Sequence, residues 1–160
     1  MKIFVSVGTH AQQFNRLLKE MDLLLGEKKI NAEVFAQAGN SDYEPKNFAF
    51  KKFLDEKEFV EKFGWADIVI SHGGAGTIIN AMLNKKRLVI VPRMKKFGEH
   101  TNDHQLDLAE ALEKEGRALA VFEIKELGTK IREAEKFSPK IASDKEGLVN
   151  AIKEFLEKKK

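Results

Sequence analysis

The residues best suited to chemistry form one short segment, Ser71-His72-Gly73-Gly74-Ala75-Gly76-Thr77. An apolar run at 66–70 precedes it and a helical pattern at 78–83 follows it, which predicts a strand, a glycine-rich turn and a helix. Such a turn directs backbone N–H groups to the positive end of a helix, where a phosphate can bind. The spacing matches neither the dinucleotide-binding G-x-G-x-x-G pattern nor a P-loop. A tight connection that binds nothing is the alternative.

Two other predicted strands also end in residues that could bind a ligand. Gly8-Thr9-His10 follows the first strand and could grip a phosphate together with the glycine-rich turn, although it could equally be an ordinary capped connection. Asp103, His104 and Gln105 follow a later strand, and their polar groups suit the hydroxyl groups of a sugar. A plain capped helix start is the alternative there.

The same polar cluster contains possible metal ligands and lies close to basic residues. His100 and His104 are four residues apart and could face one ion from a helix, but Asp103 does not share that spacing, and we expect no metal site. Lys85-Lys86-Arg87 and Arg93-Met94-Lys95-Lys96 are basic clusters of the kind that usually forms solvated surface. The second cluster could instead meet a phosphate-bearing acceptor or an anionic membrane surface.

Composition limits the class of protein. The 160 residues are 42% hydrophobic and 33% charged, which fits a soluble protein with one core, and we expect a single domain over 1–160. The chain has no cysteine, and no apolar stretch approaches the roughly 20 residues that span a bilayer, so we expect a cytoplasmic protein. Basic residues are interleaved with glutamates at a net charge of +3, which argues against a nucleic-acid partner.

The elements that must position these residues alternate between strand and helix patterns. The runs at 68–71 and 88–91 are apolar on both faces, which is typical of central strands covered by helices on both sides. We therefore predict an α/β fold with a doubly wound, mostly parallel sheet, which binds ligands at the carboxyl ends of its strands. The predicted strands are 2–7, 32–37, 48–53, 68–71, 88–91 and 118–122.

Apolar spacing and capping residues predict the helices. Apolar residues recur at helical spacing over 14–25 and over 106–112, where the second helix ends near Gly116. Asp55 with Glu58 has the spacing of a capping box and opens a short helix. Ser143 with Glu146 has the same spacing and predicts a C-terminal helix at about 143–157.

The segments 3–9, 37–40, 67–77, 91–93 and 99–105 together resemble the donor-binding half of the GT-B glycosyltransferases of family 28. The resemblance implies a Rossmann-like half of a GT-B fold. It most resembles the small catalytic subunit of two-part enzymes in polysaccharide or dolichol-linked oligosaccharide synthesis. Such a subunit implies transfer of N-acetylglucosamine, glucuronate or galactose from a UDP donor to a lipid-linked saccharide, with inversion at the anomeric carbon.

The resemblance also implies residue roles. Gly8, Thr9 and the backbone at 74–77 would hold the UDP diphosphate, and Phe53 and Leu54 would present their backbone to uracil. Asp103, His104 and Gln105 would read the donor sugar. The matching segments add four residues to the expected donor site: Gln37, Gly39, His72 and Gly73.

One expected donor residue departs from the family pattern, and the general base is assigned by location alone. Many members have a glutamate three residues after the threonine, where it binds the ribose hydroxyls, but this chain has Asn80. An amide forms only neutral and weaker hydrogen bonds with those hydroxyls. His10 and Glu99 are the candidates for the base that deprotonates the acceptor.

The resemblance implies partners as well. A GT-B enzyme has two such halves, so we expect a separate, membrane-anchored subunit that binds a polyprenyl-linked acceptor and holds this chain at the membrane periphery. UDP-sugar would be a substrate, and no cofactor or metal is expected. Two alternatives stay open: a non-catalytic nucleotide-binding or regulatory module without independent transferase activity, and a nucleotide-sugar 2-epimerase, which normally needs both domains in one chain.

Overall fold

The computed structural model describes residues 1–140 and 145–157. No helix in these two ranges has the length and apolar character required to cross a bilayer. The strands and α-helices, in chain order, are β1 Lys2–Ser6, α1 Asn15–Gly26, β2 Glu33–Gln37, β3 Ala49–Lys51, α2 Glu56–Trp65, β4 Ile68–Ser71, α3 Ala75–Leu83, β5 Arg87–Ile90, α4 His104–Lys114, β6 Leu119–Ala120, α5 Leu127–Ala134 and α6 Lys145–Glu157.

The strands form one six-stranded sheet in the order β3-β2-β1-β4-β5-β6, and every neighbouring pair is parallel. β1 lies between β2 and β4, so Ser6 is in register with both Gln37 and Ser71. The strand order reverses at β1, which opens a crevice beyond the carboxyl ends of these strands. The prediction of a doubly wound parallel sheet is confirmed.

Apolar layers cover both faces of the sheet. Ile3 and Val5 of β1 pack with α1 and α5 on one face, whereas Phe4 packs with α2, α3 and α4 on the other. Successive side chains of a strand point to opposite faces, so the interior of a strand covered on both sides is apolar, and the buried polar residues of β1, β2 and β4 lie at the strand ends. Ile152 of α6 joins the second layer.

The structure confirms most element predictions and shortens the outer strands. The predicted strands at 48–53 and 118–122 are reduced to β3 and β6, because an edge strand has only one neighbour with which to pair. The capping box of α2 is formed, with the Glu58 N–H donating to Asp55 Oδ1 at 2.8 Å and the Asp55 N–H donating to Glu58 Oε2 at 3.1 Å. The C-terminal helix is α6, while Ser143, its predicted cap, lies outside the described residues.

Helix α5 was not predicted from the sequence. No side chain caps it, and it contains Gly128, which lowers intrinsic helix propensity by about 1 kcal/mol relative to alanine. A Cβ at Gly128 would lie 2.9 Å from Leu24 Cδ2, so the glycine allows α5 to pack closely on α1. Tertiary contact therefore stabilises a helix that its local sequence signals only weakly.

Candidate functional site

A cleft of about 550 Å³ lies at the carboxyl ends of β1, β2 and β4, where the strand order reverses. The loop after β1, the start of α2 and the start of α3 form its walls. Residues far apart in the chain therefore meet in one crevice, as the fold class predicts. Nine of the predicted donor-binding residues line it: Gly8, Thr9, Gln37, Leu54, His72, Gly74, Gly76, Thr77 and Asn80.

The N-terminus of α3 is the wall best suited to an anion. Gly74 is the N-cap and no side chain caps the helix, so the N–H groups of the first turn keep their capacity to bind a ligand. A Cβ at the exposed Gly76 would meet no atom within 4 Å, which leaves the approach to these groups open. Thr77 also lines the cleft and can add a hydroxyl donor. This arrangement fits a diphosphate.

Two glycines enclose the imidazole of His72. Gly8 has a φ of +78°, and a Cβ on it would lie 2.5 Å from His72 Cε1. A Cβ on Gly74 would lie 2.4 Å from His72 Nε2. No other residue type fits either position while the ring stays in place. The loop after β1 and the glycine-rich turn therefore meet at His72, which is a requirement of the prediction that both segments bind one phosphate.

His72 is neutral at physiological pH. Burial lowers the pKa of its imidazole to about 4, and the charges of Arg93, His100 and His10 act in the same direction. Nδ1 lies 3.2 Å from the Ser6 carbonyl oxygen, which assigns the proton of the neutral ring to Nδ1. An anion bound in the cleft would favour the charged form and raise this pKa.

Two buried polar side chains lie at the strand ends beneath the cleft. Ser6 Oγ has no hydrogen-bond partner among the described residues, although the serine lines the cleft. Gln37 Oε1 accepts the Leu54 N–H at 3.3 Å, which ties the loop before α2 to the end of β2. The sequence analysis identified Gln37 and Leu54 but missed Ser6, whose position as the last residue of β1 was the available signal.

The start of α2 forms the opposite wall and was largely missed as part of the site. Asp55, Glu56, Phe59 and Val60 line the cleft there. Of these, only Asp55 is indicated by the sequence, as a helix cap and as part of a loop that follows a predicted strand. These residues supply carboxylates, which can bind the hydroxyls of a nucleoside, and apolar surface, against which its base can pack. The available signal was again their position directly after a strand.

Seven predicted donor residues lie outside the lining of the cleft, and four of them belong to the loops and the turn around it. Gly39 packs behind Gly8, since a Cβ on it would lie 2.6 Å from the Gly8 carbonyl oxygen. Gly73 lies in the glycine-rich turn and Ala75 is the first residue of α3, but neither lines the cleft. Phe53 is exposed beside the lining residue Leu54.

The segment predicted to read the sugar contacts the glycine-rich turn from the next strand along. A Cβ on Gly73 would lie 3.5 Å from Gln105 Cβ, and Gln105 Oε1 accepts the Arg93 N–H at 3.0 Å. Asp103 Oδ1 accepts the Lys95 N–H at 2.8 Å, and the His104 N–H donates to Asn102 Oδ1 at 3.2 Å. None of Asp103, His104 and Gln105 lines the cleft itself, so their role as sugar contacts stays a prediction.

Glu99 is placed as a structural anion rather than as a base. Its side chain is only 1% exposed, and both carboxylate oxygens bind the Arg16 guanidinium, at 2.8 and 2.9 Å. Glu99 Oε2 also accepts the Met94 N–H at 3.0 Å. Both oxygens of this buried carboxylate are held by fixed partners, so the geometry argues against Glu99 as the base.

His10 belongs to a group formed by all four histidines of the chain. The rings of His10 and His100 are stacked with centroids 4.6 Å apart and an interplanar angle of 29°. Burial lowers the pKa of His100, as do the nearby charges of His10, Arg93 and His104. A histidine side chain can serve as a general base. Among the described residues, no three His, Asp or Glu side chains are grouped to bind one metal ion.

Arg93 organises the two loops that carry these histidines, and the sequence analysis misread it as part of a solvated basic cluster. Its side chain is 0% exposed. The guanidinium donates to the carbonyl oxygens of Val7, Gln12 and Gln13 in the loop after β1, and to that of Glu99 in the loop after β5. Burial lowers its pKa to about 10, which still leaves it charged at neutral pH. The available signal was the family-matching segment 91–93, which contains Arg93 but not the exposed lysines beside it.

Comparisons with known proteins agree on one family. A family model described as the glycosyltransferase family 28 C-terminal domain matches residues 2–159. The human UDP-N-acetylglucosamine transferase subunit ALG13 is 34% identical over 126 residues, which cover 71% of this chain and 10% of that protein. The UDP-N-acetylglucosamine–N-acetylmuramyl-(pentapeptide) pyrophosphoryl-undecaprenol N-acetylglucosamine transferase of Myxococcus xanthus is 31% identical over 128 residues, which cover 76% of this chain and 32% of that protein. The chain thus spans between a tenth and a third of these relatives.

Solved structures share the fold. An NMR structure of ALG13 superposes with a TM-score of 0.62 at 14% identity, covering 94% of this chain and 94% of that one. The crystal structure of Acinetobacter baumannii MurG superposes with a TM-score of 0.59 at 16% identity, covering 96% of this chain and 49% of that one. The described fold is therefore comparable in extent to the first structure and to about half of the second.

Proposed function

We propose that this chain, which belongs to the glycosyltransferase family 28 C-terminal domain family, is the catalytic subunit of an inverting glycosyltransferase. It would bind a UDP-sugar in the cleft and pass the sugar to a lipid-linked saccharide. The names of the human and bacterial relatives make N-acetylglucosamine the first donor to test, with glucuronate and galactose as further candidates.

The observation that carries this proposal is the junction of the glycine-rich turn with the loop after β1. The uncapped N-terminus of α3 faces a cleft of about 550 Å³. Gly8, in the loop after β1, packs against the His72 ring beside this helix end. Helix N–H groups and the helix dipole favour a diphosphate there. The wall formed by α2 leaves room beside the diphosphate for a nucleoside.

The proposed reaction uses these groups to stabilise the leaving UDP. The acceptor hydroxyl oxygen attacks the anomeric carbon, the bond from that carbon to the UDP oxygen breaks, and the hydroxyl proton passes to a base. Negative charge then grows on the diphosphate, where preorganised N–H donors stabilise it more than they stabilise the ground state. We assign the base to His10, which stacks on His100 at the same edge of the sheet.

A second subunit supplies the acceptor site in this proposal. The described sheet contains one crevice at a strand-order reversal, whereas transfer requires a second surface that closes over the donor. One relative is itself named as a subunit. We propose a membrane-anchored partner that binds the polyprenyl-linked acceptor, so that this chain works at the membrane periphery.

Titration with UDP, followed by the melting temperature and by calorimetry, tests the nucleotide site. The Gly76→Asp variant places a carboxylate among the N–H groups of α3, and we expect UDP to bind at least about tenfold more weakly through charge repulsion. Gly64→Asp is the matched control, since both glycines are exposed helical positions where a Cβ meets no atom within 4 Å. Equal UDP affinity in both variants would place the nucleotide elsewhere.

A non-catalytic nucleotide-binding module is the second candidate, and Asn80 is the observation that favours it. Asn80 lines the cleft at the position where many family members have a ribose-binding glutamate. Mixing the chain with a membrane-anchored acceptor subunit and radiolabelled UDP-N-acetylglucosamine distinguishes the two. Transfer of label to a lipid-linked product supports the transferase, whereas UDP binding without transfer supports the module.

A further inference from the structure

The loop after β5 carries an exposed basic and aromatic tip. A 3-10 turn at Lys95–Phe97 ends at Gly98, and all four residues are exposed. Phe97 is 46% exposed. The loop follows the carboxyl end of a parallel strand, so this tip (residues 95–98) lies at the same edge of the sheet as the cleft.

Hydrogen bonds hold the tip in place. The Lys95 N–H donates to Asp103 Oδ1 at 2.8 Å, and Gln13 Nε2 donates to the Phe97 carbonyl oxygen at 3.3 Å. The Gly98 N–H closes the turn on the Lys95 carbonyl oxygen at 2.9 Å. Because its backbone is fixed to the N-cap of α4 and to the loop after β1, the tip presents Phe97 outward without a further ordering cost.

Cations surround the exposed ring. Lys96 Nζ and Arg16 Cζ each lie 4.9 Å from the centre of the Phe97 ring. Glu99, the acid nearest in sequence to the tip, is buried and bound by Arg16. An exposed aromatic ring beside a lysine ammonium group matches an interface that is apolar on one side and anionic on the other, as the headgroup region of an acidic bilayer is.

We propose that the tip docks on the surface of an anionic lipid bilayer, with Phe97 entering the headgroup region and Lys95 and Lys96 contacting lipid phosphates. This contact belongs to the chain itself and is additional to any membrane anchor on a partner. It rests on the proposed function only in that a lipid-linked acceptor would place the cleft close to a membrane. Each lysine near an anionic surface strengthens binding about fivefold, so the contact is weak and salt-dependent.

Co-sedimentation of the full chain with lipid vesicles tests the proposal. We expect binding at low salt to vesicles that mix phosphatidylglycerol with phosphatidylcholine, little binding to phosphatidylcholine alone, and release at high salt. The Lys95→Glu/Lys96→Glu variant should bind the mixed vesicles at least about 30-fold more weakly, since it removes both attractive charges. Phe97→Ser should weaken binding about tenfold through the loss of buried apolar surface.

Lys28→Glu/Lys85→Glu is the matched control for the charge reversal. Both lysines are exposed and follow helices, so they lie at the opposite, amino edge of the sheet. This control should retain vesicle binding although its net charge changes equally. Equal losses in the two double variants, or no binding of the wild type to anionic vesicles, would overturn the proposal. The UDP-induced melting shift is measured in parallel, so a failure of the nucleotide site is recognised separately.

Discussion

At the scale of single residues, His72 shows how closely conformation and chemistry are linked at this site. The ring is held by Gly8 and Gly74, neither of which could carry a Cβ without moving it. Partial burial keeps the imidazole neutral, with its proton on Nδ1 towards the Ser6 carbonyl oxygen. The same enclosure prepares the ring to respond when an anion enters the cleft.

The lowered pKa of His72 predicts a loss of stability in mild acid. The folded-state pKa of about 4 lies below the ordinary value of 6.5, so the unfolded chain binds more protons between these values. The contribution of His72 to the free energy of unfolding is therefore fully present above about pH 6.5. It falls as the pH drops towards 4, by at most about 3 kcal/mol. Urea unfolding across this pH range measures the effect.

His72→Asn is the comparison for that experiment, because its amide can still donate to the Ser6 carbonyl oxygen without titrating. We expect a shallower loss of stability between pH 6.5 and 4 in this variant. His100 contributes to the slope with the same sign and should leave some pH dependence behind. An identical slope in the wild type and the variant would show that His72 is not buried as described.

At the scale of elements, some helices are specified by local sequence signals and others by tertiary contacts. The capping box of α2 was recognised from Asp55 and Glu58 alone, because its hydrogen bonds are formed within four residues. Helix α5 lacks such a cap and is held instead by its packing. Its apolar residues Leu127, Ile131 and Ala134 are buried against the same face of the sheet as α1.

Truncation within α5 tests how much this packing contributes. Ile131 is 0% exposed, and Ile131→Ala should lower the free energy of unfolding by about 2–5 kcal/mol through lost burial and the remaining cavity. Arg132→Ala, on the exposed side of the same helix, should change it by less than about 0.5 kcal/mol. Similar small effects in both variants would mean that α5 contributes little to the core.

At the scale of the whole molecule, the reversal of strand order brings separate loops to one crevice. The loop after β1, the start of α2 and the start of α3 each follow a different strand, yet all three line the cleft. If UDP binds there, amide hydrogen exchange should slow at 6–10, 54–60 and 72–80 together. The turn around Lys28, at the amino edge of the sheet, should exchange at an unchanged rate. Protection of one cleft segment alone would contradict a shared site.

The predictability of this site followed the range of the interactions that build it. The glycine-rich turn, Gly8 and Thr9 were identified because strand-turn-helix patterns are local and place ligands at strand ends, whereas Gln37 was added through the family resemblance. The wall at Glu56, Phe59 and Val60 was missed, since its helix looks like ordinary surface until the crevice is formed. Glu99 was misassigned for a related reason: its partner Arg16 lies far away in the chain.

The sequence by itself determined the alternation of strands and helices, the doubly wound sheet and the position of the glycine-rich turn, because these depend on short-range periodicity and on backbone freedom. Only the tertiary structure decided which polar residues are free to act. It buried Arg93 and Glu99 as supports between loops, stacked His10 on His100, and left Lys95–Phe97 exposed. Burial and pairing decide whether a charged side chain supports the fold or meets a ligand, and both are set by residues distant in the sequence.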